Sequence, residues 1–211
     1  MSPMNNHLYW RYATQKFDPT RKIPKKDLDE LLEVLRIAPS SYGLQPWKFI
    51  VIQNETLRKE LQRHAWNQPQ VTDASHLIVF CALKIMDERY VKDFVTRIAQ
   101  VRDVNRETLS GYERAMLDSF KNQTPAQLSH WMKLQVYLAL GMFLAECAQE
   151  KIDACPMEGF EPQKFDEVLG LEKQGLESVV LCPIGYRARD DRYAKLKKVR
   201  FEKNEVVIHL R

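Results

Sequence analysis

The chain has 211 residues, 45% of them hydrophobic and 28% charged, with a formal net charge of +4. That size and apolar content suit one domain with a substantial core. The mild positive excess, with no dominating basic block, is far from the footprint of a nucleic-acid-binding module.

No apolar run approaches the length needed to span a membrane. The start, from Met1 to Tyr9, has neither the basic nor the apolar region of an export signal. Cys81, Cys147, Cys155 and Cys182 match no zinc spacing, so no metal is expected. Three of them lie in strongly apolar contexts and read as buried free thiols. A cytoplasmic location fits these features.

In chain order, residues 5–13 read as a short helix. Residues 25–37 form a clear one, with Leu28, Leu31, Leu32 and Leu35 on one face, stopped by Pro39. Residues 47–53, rich in Ile and Val, predict a strand, and residues 56–65 a charged surface helix. The nearly continuous apolar run at 76–83 predicts a strand buried on both faces. The most charged part, about 87–122, reads as a helical excursion or lid, with Tyr90, Phe94, Ile98 and Val101 recurring at steps of three and four.

The most informative element begins at Thr124. Thr124 is a candidate N-cap, Pro125 suits the first helical position, and Gln127 completes a capping box. The apolar pattern then runs through Leu128, Trp131, Met132, Val136, Tyr137, Leu140, Phe143, Leu144 and Cys147, a helix of roughly 39 Å. It is apolar over much of its circumference, which predicts a central spine that also serves as a dimer interface. Gly141 costs helix stability, and close approach of another helix would explain it. A short strand at 153–157, a helix at 162–169, a buried strand at 178–186 and a final strand at 205–210 follow. The order predicts an α+β or α/β three-layer fold with one central sheet. With no repeat and no linker, residues 1–211 read as a single domain.

Absences narrow the chemistry. The seven glycines never form a dinucleotide-binding loop, and no nucleoside-triphosphate loop, zinc-protease helix or serine-hydrolase elbow is present. The five histidines are scattered, and His76, at the entry to an apolar strand, reads as a satisfied core residue. An enzyme without these tools often borrows its reactivity from a cofactor.

Four segments are hard to explain as core: Arg11-Tyr12-Ala13-Thr14-Gln15-Lys16-Phe17-Asp18; Ala38-Pro39-Ser40-Ser41-Tyr42-Gly43-Leu44-Gln45-Pro46-Trp47; Cys155-Pro156-Met157-Glu158-Gly159-Phe160; and Lys197-Lys198-Val199-Arg200-Phe201. Glycine in the third lets a ligand approach the backbone. The fourth is basic, and Val199 and Phe201 predict that it is anchored. Together with Asp73-Ala74-Ser75-His76 and Gln135, these segments resemble, in order and over almost the whole chain, the flavin-binding motifs of the oxygen-insensitive bacterial nitroreductases, including their dihydropteridine-reductase-like members.

The resemblance implies a three-layer α-β-α fold with a mostly antiparallel sheet. It implies an intertwined homodimer with the long helix at its interface and a C-terminal strand extended onto the partner. It also implies two sites for non-covalently bound FMN. Arg11, Lys198 and Arg200 are implied to bind the phosphate, which agrees with the need for charge-assisted donors where no glycine-rich loop exists. Tyr12, Ala13 and Gln15 lie beside them, Ala13 standing where relatives often carry serine and so offering only its backbone. Pro39, Ser40 and Ser41 are implied to lie on the partner's side of the flavin. Asn67 and Gln70 are implied at the isoalloxazine edge, and Gln135 at the ribityl chain or ring. Pro156, Met157, Glu158 and Gly159 are implied along one ring face, with the Glu158 backbone N–H near flavin N5. Tyr42 and Phe120 are candidate aromatic contacts for a planar substrate.

Two departures stand out. Some relatives carry lysine at the positions of Gln15 and Gln70, where this chain has neutral amides. A cation there stabilises reduced flavin, so a lower potential is expected unless Lys16 compensates. The implied activity is ping-pong hydride transfer from NADH or NADPH, through the flavin, to a nitroaromatic, quinone or quinonoid pterin, with no side chain required as general acid. No ribose-phosphate motif separates the two nicotinamides. The rival readings are a flavin-holding or redox-sensing protein with little turnover, another reaction on the same fold such as reductive dehalogenation or flavin degradation, and a nucleic-acid-binding module.

Overall fold

The computed structural model describes residues 6–210. At its centre lies an antiparallel sheet in the order β1 (Trp47–Ile52), β2 (His76–Leu83), β4 (Leu176–Gly185) and β3 (Asp153–Ala154). The two-residue period of β2 divides its side chains between two cores. Ile78, Phe80 and Ala82 face one cluster, and Leu77, Val79 and Cys81 face the other. Every residue of β2 but the last is buried, as its continuous apolar run predicts.

Helices cover both faces. The first cluster takes Leu28, Leu31 and Leu35 of α2 (Lys25–Ile37), and Met132, Val136, Ala139, Leu140 and Phe143 of α7 (Pro125–Gln149). The second takes Leu61 of α3 (Glu55–Arg63), Val71 of α4 (Gln70–Asp73) and Phe165 of α8 (Pro162–Leu169). This is the three-layer α+β arrangement. The charged excursion consists of α5 (Glu88–Arg102) and α6 (Ser110–Phe120), fastened to the first cluster by Val91, Val95 and Met116.

The start of α7 follows from local chemistry. The Thr124 hydroxyl accepts from the Gln127 N–H and the Gln127 side chain accepts from the Thr124 N–H, with Pro125 at the first position. Such a cap contributes about 1 kcal/mol. Met132, Val136, Leu140, Phe143 and Cys147 are buried on one side of the helix, while Leu134, Leu138 and Met142 are 50%, 46% and 37% exposed. No heavy atom lies within 4 Å of a Cβ built on Gly141. The helix expected to approach that glycine is therefore not among the described residues.

Several expectations are corrected. In α5 the buried stripe is Val91, Val95 and Ala99, one residue beyond the expected one, and Val101 is exposed. Tyr90 and Phe94 of the expected stripe still pack, half-buried, against the first cluster, so the expected stripe flanks the buried one. In α3, Arg58 is buried together with Leu61, so the helix is not wholly a surface element. The strand at 153–157 reduces to Asp153–Ala154 plus an isolated bridge from Met157 to Leu181. Residues 205–210 form no strand. Lys203–Val206 makes a helical turn, α9, and the segment beyond it is exposed. A strand needs a neighbour for its N–H and C=O groups, and none among the described residues pairs with it. Val199 and Phe201, expected to anchor the basic segment, are 84% and 77% exposed. Residue 5 of the first helix lies outside the described residues; that helix, α1, spans Asn6–Trp10.

Candidate active site

Helix α1 ends where Arg11 begins the first site segment, its N–H bonded to the His7 carbonyl at 3.1 Å. The chain then runs beside β3, with Ala13 bridged in parallel to Ala154 and Phe17 bridged antiparallel to Arg187. From the far end of the sequence, a 3-10 turn at Arg192–Lys195 leads to the basic segment. The two limbs meet. Lys198 donates its ammonium to the Arg11 carbonyl. The Tyr12 hydroxyl donates to Asp191 Oδ2 at 2.8 Å, and the Gln15 and Lys16 N–H groups reach the same oxygen at 3.1 and 3.2 Å. Between the limbs lies a cavity of about 420 Å³ lined by Arg11, Ala13, Gln15, Lys197, Lys198 and Arg200.

Arg11 thus meets Lys198, 187 positions away in the sequence, and its near neighbour Arg200. Burial lowers the pKa of the Arg11 guanidinium, and Arg200 lowers it further. Lys198 is lowered by burial and then by Arg11 and Arg200. No ion pair among the described residues engages Arg11, Lys198 or Arg200. Positive charges that repel one another and have no carboxylate partner favour an anion between them. Lys16, by contrast, is paired with Asp190 and does not join the cluster.

Neighbouring hydrogen bonds extend the site. Gln70 Nε2 donates to Gln15 Oε1 at 3.2 Å, so the two amides that depart from the lysine-bearing pattern lie together. Gln70 is buried, and its Oε1 has no partner. Gln68 Nε2 donates to the Gly159 carbonyl at 2.7 Å, tying residues 67–70 to the Pro156–Gly159 segment. Trp66 and Asn67 adopt positive φ values of 53° and 54°, and a Cβ built on Gly159 falls 2.7 Å from Trp66 Cζ3. A side chain there would force the largely exposed Trp66 ring or the Gln68 amide to shift. The Met157 N–H bonds to Leu181 across the bridge, whereas the Glu158 N–H has no acceptor among the described residues. The Glu158 side chain accepts from the Tyr137 hydroxyl of α7. Burial, and then this bond, push the Tyr137 pKa up to about 12.

The remaining candidates form a second group. Gln135 accepts from the Ser41 N–H at 2.9 Å and donates to the Trp131 carbonyl at 3.1 Å. It therefore ties the 38–47 loop, which carries Pro39, Ser40 and Ser41, to α7. Ser40 Oγ accepts from the Gln45 N–H, and Pro39 and Ser41 are exposed. Tyr42, at φ 57°, meets both Tyr112 and Phe120 edge-on with centroids 6.1 Å apart, and Phe120 meets Trp131 at 4.8 Å. The two proposed aromatic contacts are thus brought together. Helix α7 links this group to the first, through Gln135 and Tyr137.

The nitroreductase family model matches residues 8–186. The chain belongs to the nitroreductase family. It is 34% identical over 194 residues to YfkO of Bacillus subtilis, named as an NAD(P)H nitroreductase, covering 87% of this chain and 88% of that one. A Staphylococcus epidermidis protein of the same designation is 32% identical, covering 94% and 96%. Among solved structures, the nitroreductase ydfN of Bacillus subtilis superposes with a TM-score of 0.88 at 21% identity over the full length of both chains. A nitroreductase from Exiguobacterium sibiricum solved in complex with FMN gives 0.83 at 23%, covering 100% and 98%. These structural likenesses establish the fold.

Sequence reasoning missed the supports of this cluster. Asp191 is buried among four hydrogen-bond donors. Asp153, also buried, holds Arg187 at 2.6 Å and accepts from Thr14. The Arg187 guanidinium lies 4.1 Å over the Trp10 ring and 4.6 Å over that of Tyr12. The doubled aspartate of Arg189-Asp190-Asp191-Arg192, just before the basic segment, was the available signal. His76 is the core residue expected: Ser75 Oγ lies 3.0 Å from its Nδ1, and Gln53 bonds its other nitrogen. All four cysteines are free and buried.

Proposed function

We propose that this chain is an FMN-dependent NAD(P)H oxidoreductase that reduces small, planar, electron-poor molecules. The observation that carries this is the cluster of Arg11, Lys198 and Arg200, three cations with no carboxylate partner facing one cavity. It fits a phosphate dianion, which takes charge-assisted hydrogen bonds from a guanidinium fork. Two further features fit a flavin beyond the phosphate: the orphaned, buried Gln70 Oε1 needs a donor, and the 156–159 segment offers the unengaged Glu158 N–H.

Bound FMN supplies reversible hydride acceptance and donation, as flavins do. The protein's part is to bind and orient. Arg11, Lys198 and Arg200 hold the phosphate, Gln15, Asn67 and Gln70 lie beside the ring edge, and the Pro156–Gly159 backbone lines a face. Tyr42 and Phe120 present aromatic edges suited to a flat acceptor such as a nitroaromatic, quinone or quinonoid pterin.

The working form is proposed to be a homodimer. The exposed Leu134, Leu138 and Met142 face of α7, with the open Gly141 between them, suits a second copy. The exposed Val206, Ile208 and Leu210 alternate as a strand would, and β1 is a sheet edge able to receive one.

The test is the visible spectrum of the purified protein, followed anaerobically by NADPH or NADH and then a quinone. A flavin spectrum that bleaches and then recovers is expected. Bleaching without recovery points to a flavin-holding protein, and a protein that stays colourless after added FMN refutes the reading.

A further inference from the structure

We propose that Asp191 is the positioning residue of the phosphate clamp: it holds the two distant limbs of the chain together so that Arg11, Lys198 and Arg200 converge, without neutralising any of them. This inference rests on the FMN reading above.

The argument begins with what the C-terminal limb lacks. Leu196, Val199 and Phe201 are exposed at 65%, 84% and 77%, so no apolar side chain among them anchors the limb to its own protomer. Asp191 is 3% exposed. Its Oδ2 accepts from the Tyr12 hydroxyl and the Gln15 and Lys16 N–H groups, and its Oδ1 accepts from the Tyr193 N–H at 3.0 Å. Three donors belong to the limb that carries Arg11, and the fourth to the turn that leads into Lys198 and Arg200. One carboxylate therefore fixes both sides of the cavity.

The identity of the partners matters as much as their number. A carboxylate placed near three cations ordinarily pairs with one, and the pair then competes with any incoming anion. Here the lone pairs of Asp191 are committed to neutral donors. Burial pushes its carboxyl up, but the bonds from Tyr12, Tyr193, Lys16 and Gln15 outweigh burial and hold it below the usual carboxylate range. The charge stays on the carboxylate, its hydrogen bonds go to the scaffold, and the cations stay available for phosphate. Asp190, next in sequence, does the opposite by engaging exposed Lys16. The two adjacent aspartates thus divide a positioning task from a surface ion pair.

A positioning role predicts a defect confined to the phosphate. Riboflavin has the ring and ribityl chain of FMN but no phosphate, so the ratio of its dissociation constant to that of FMN reports the clamp alone. Both constants are read from flavin fluorescence in the full-length apoprotein of wild type, Asp191→Ala, Asp191→Asn and Tyr12→Phe. Asp191→Ala should lower the ratio by about tenfold or more. Asp191→Asn, which keeps one oxygen acceptor, and Tyr12→Phe, which removes one donor of four, should lower it less. If Asp191→Ala does not fold, the other two variants decide. Variants that keep the wild-type ratio, or lose riboflavin and FMN equally, overturn the proposal. A wild-type protein that binds riboflavin as tightly as FMN refutes the FMN reading itself, a distinguishable result.

Discussion

Protonation of His76 tests the core beneath the site. Its imidazole is 1% exposed and held between Gln53 and Ser75, and burial, then Arg58 and Lys22, lowers its pKa from 6.5 to about 4. The sign follows from linkage: between pH 6.5 and 4 the unfolded chain takes up a proton that the folded chain refuses, so folding stability falls as pH falls through that window. Below about pH 4 both states are protonated and this contribution stops changing. A shift of that size corresponds to about 3 kcal/mol, at 1.36 kcal/mol per pH unit. The assay is urea unfolding of the apoprotein at fixed protein concentration from pH 7 to pH 4, comparing wild type with His76→Asn. Other titrating groups are common to both, so the wild type should lose about 3 kcal/mol more than the variant across the window. Equal losses would refute the assignment of a buried, neutral His76.

Three further outcomes are expected. Gly159→Ala places a methyl 2.7 Å from the Trp66 ring and 3.1 Å from Gln68 Nε2. It should cost about 1–3 kcal/mol in thermal melts and weaken FMN binding; unchanged melting and affinity would show that the ring yields freely. A Cβ at Gly141 meets nothing within 4 Å, and Gly141→Leu improves helix propensity by roughly 0.8 kcal/mol. It should nonetheless shift the protein toward monomer in light scattering, and an unaltered dimer would remove this face from the interface. Restoring lysine at both Gln15 and Gln70 should raise the flavin midpoint potential in a dye-equilibrated anaerobic titration, because Lys16 is committed to Asp190 and supplies no compensating charge. No upward shift would defeat that electrostatic reading.

Much of the fold was legible because its signals are local. The apolar run at 76–83 and the leucine stripe of 25–37 became β2 and α2 with the expected bounds, and Thr124, Pro125 and Gln127 placed the start of α7 through bonds that span only three residues. The site motifs could be read for a different reason: the order of Arg11, the 38–47 loop, the 155–160 segment and Lys198 with Arg200 carries a family resemblance that no single segment carries. Readings that depended on what packs against an element fared worse. In α5 the fully buried residues lie one position beyond Tyr90 and Phe94, which pack only half-buried beside them, and Val199 and Phe201 proved exposed.

By itself, then, the sequence determined the long helices and the central strands, which residue types crowd the site, and the family to which they belong. Periodicity, caps and motif order are written along the chain. Only the tertiary structure decided that Asp191 joins residues 175–179 positions away, that Gln15 meets Gln70, and that Gln135 is spent on Ser41. Hydrogen-bond partners of that kind are chosen by proximity after folding, and sequence separation carries no record of them.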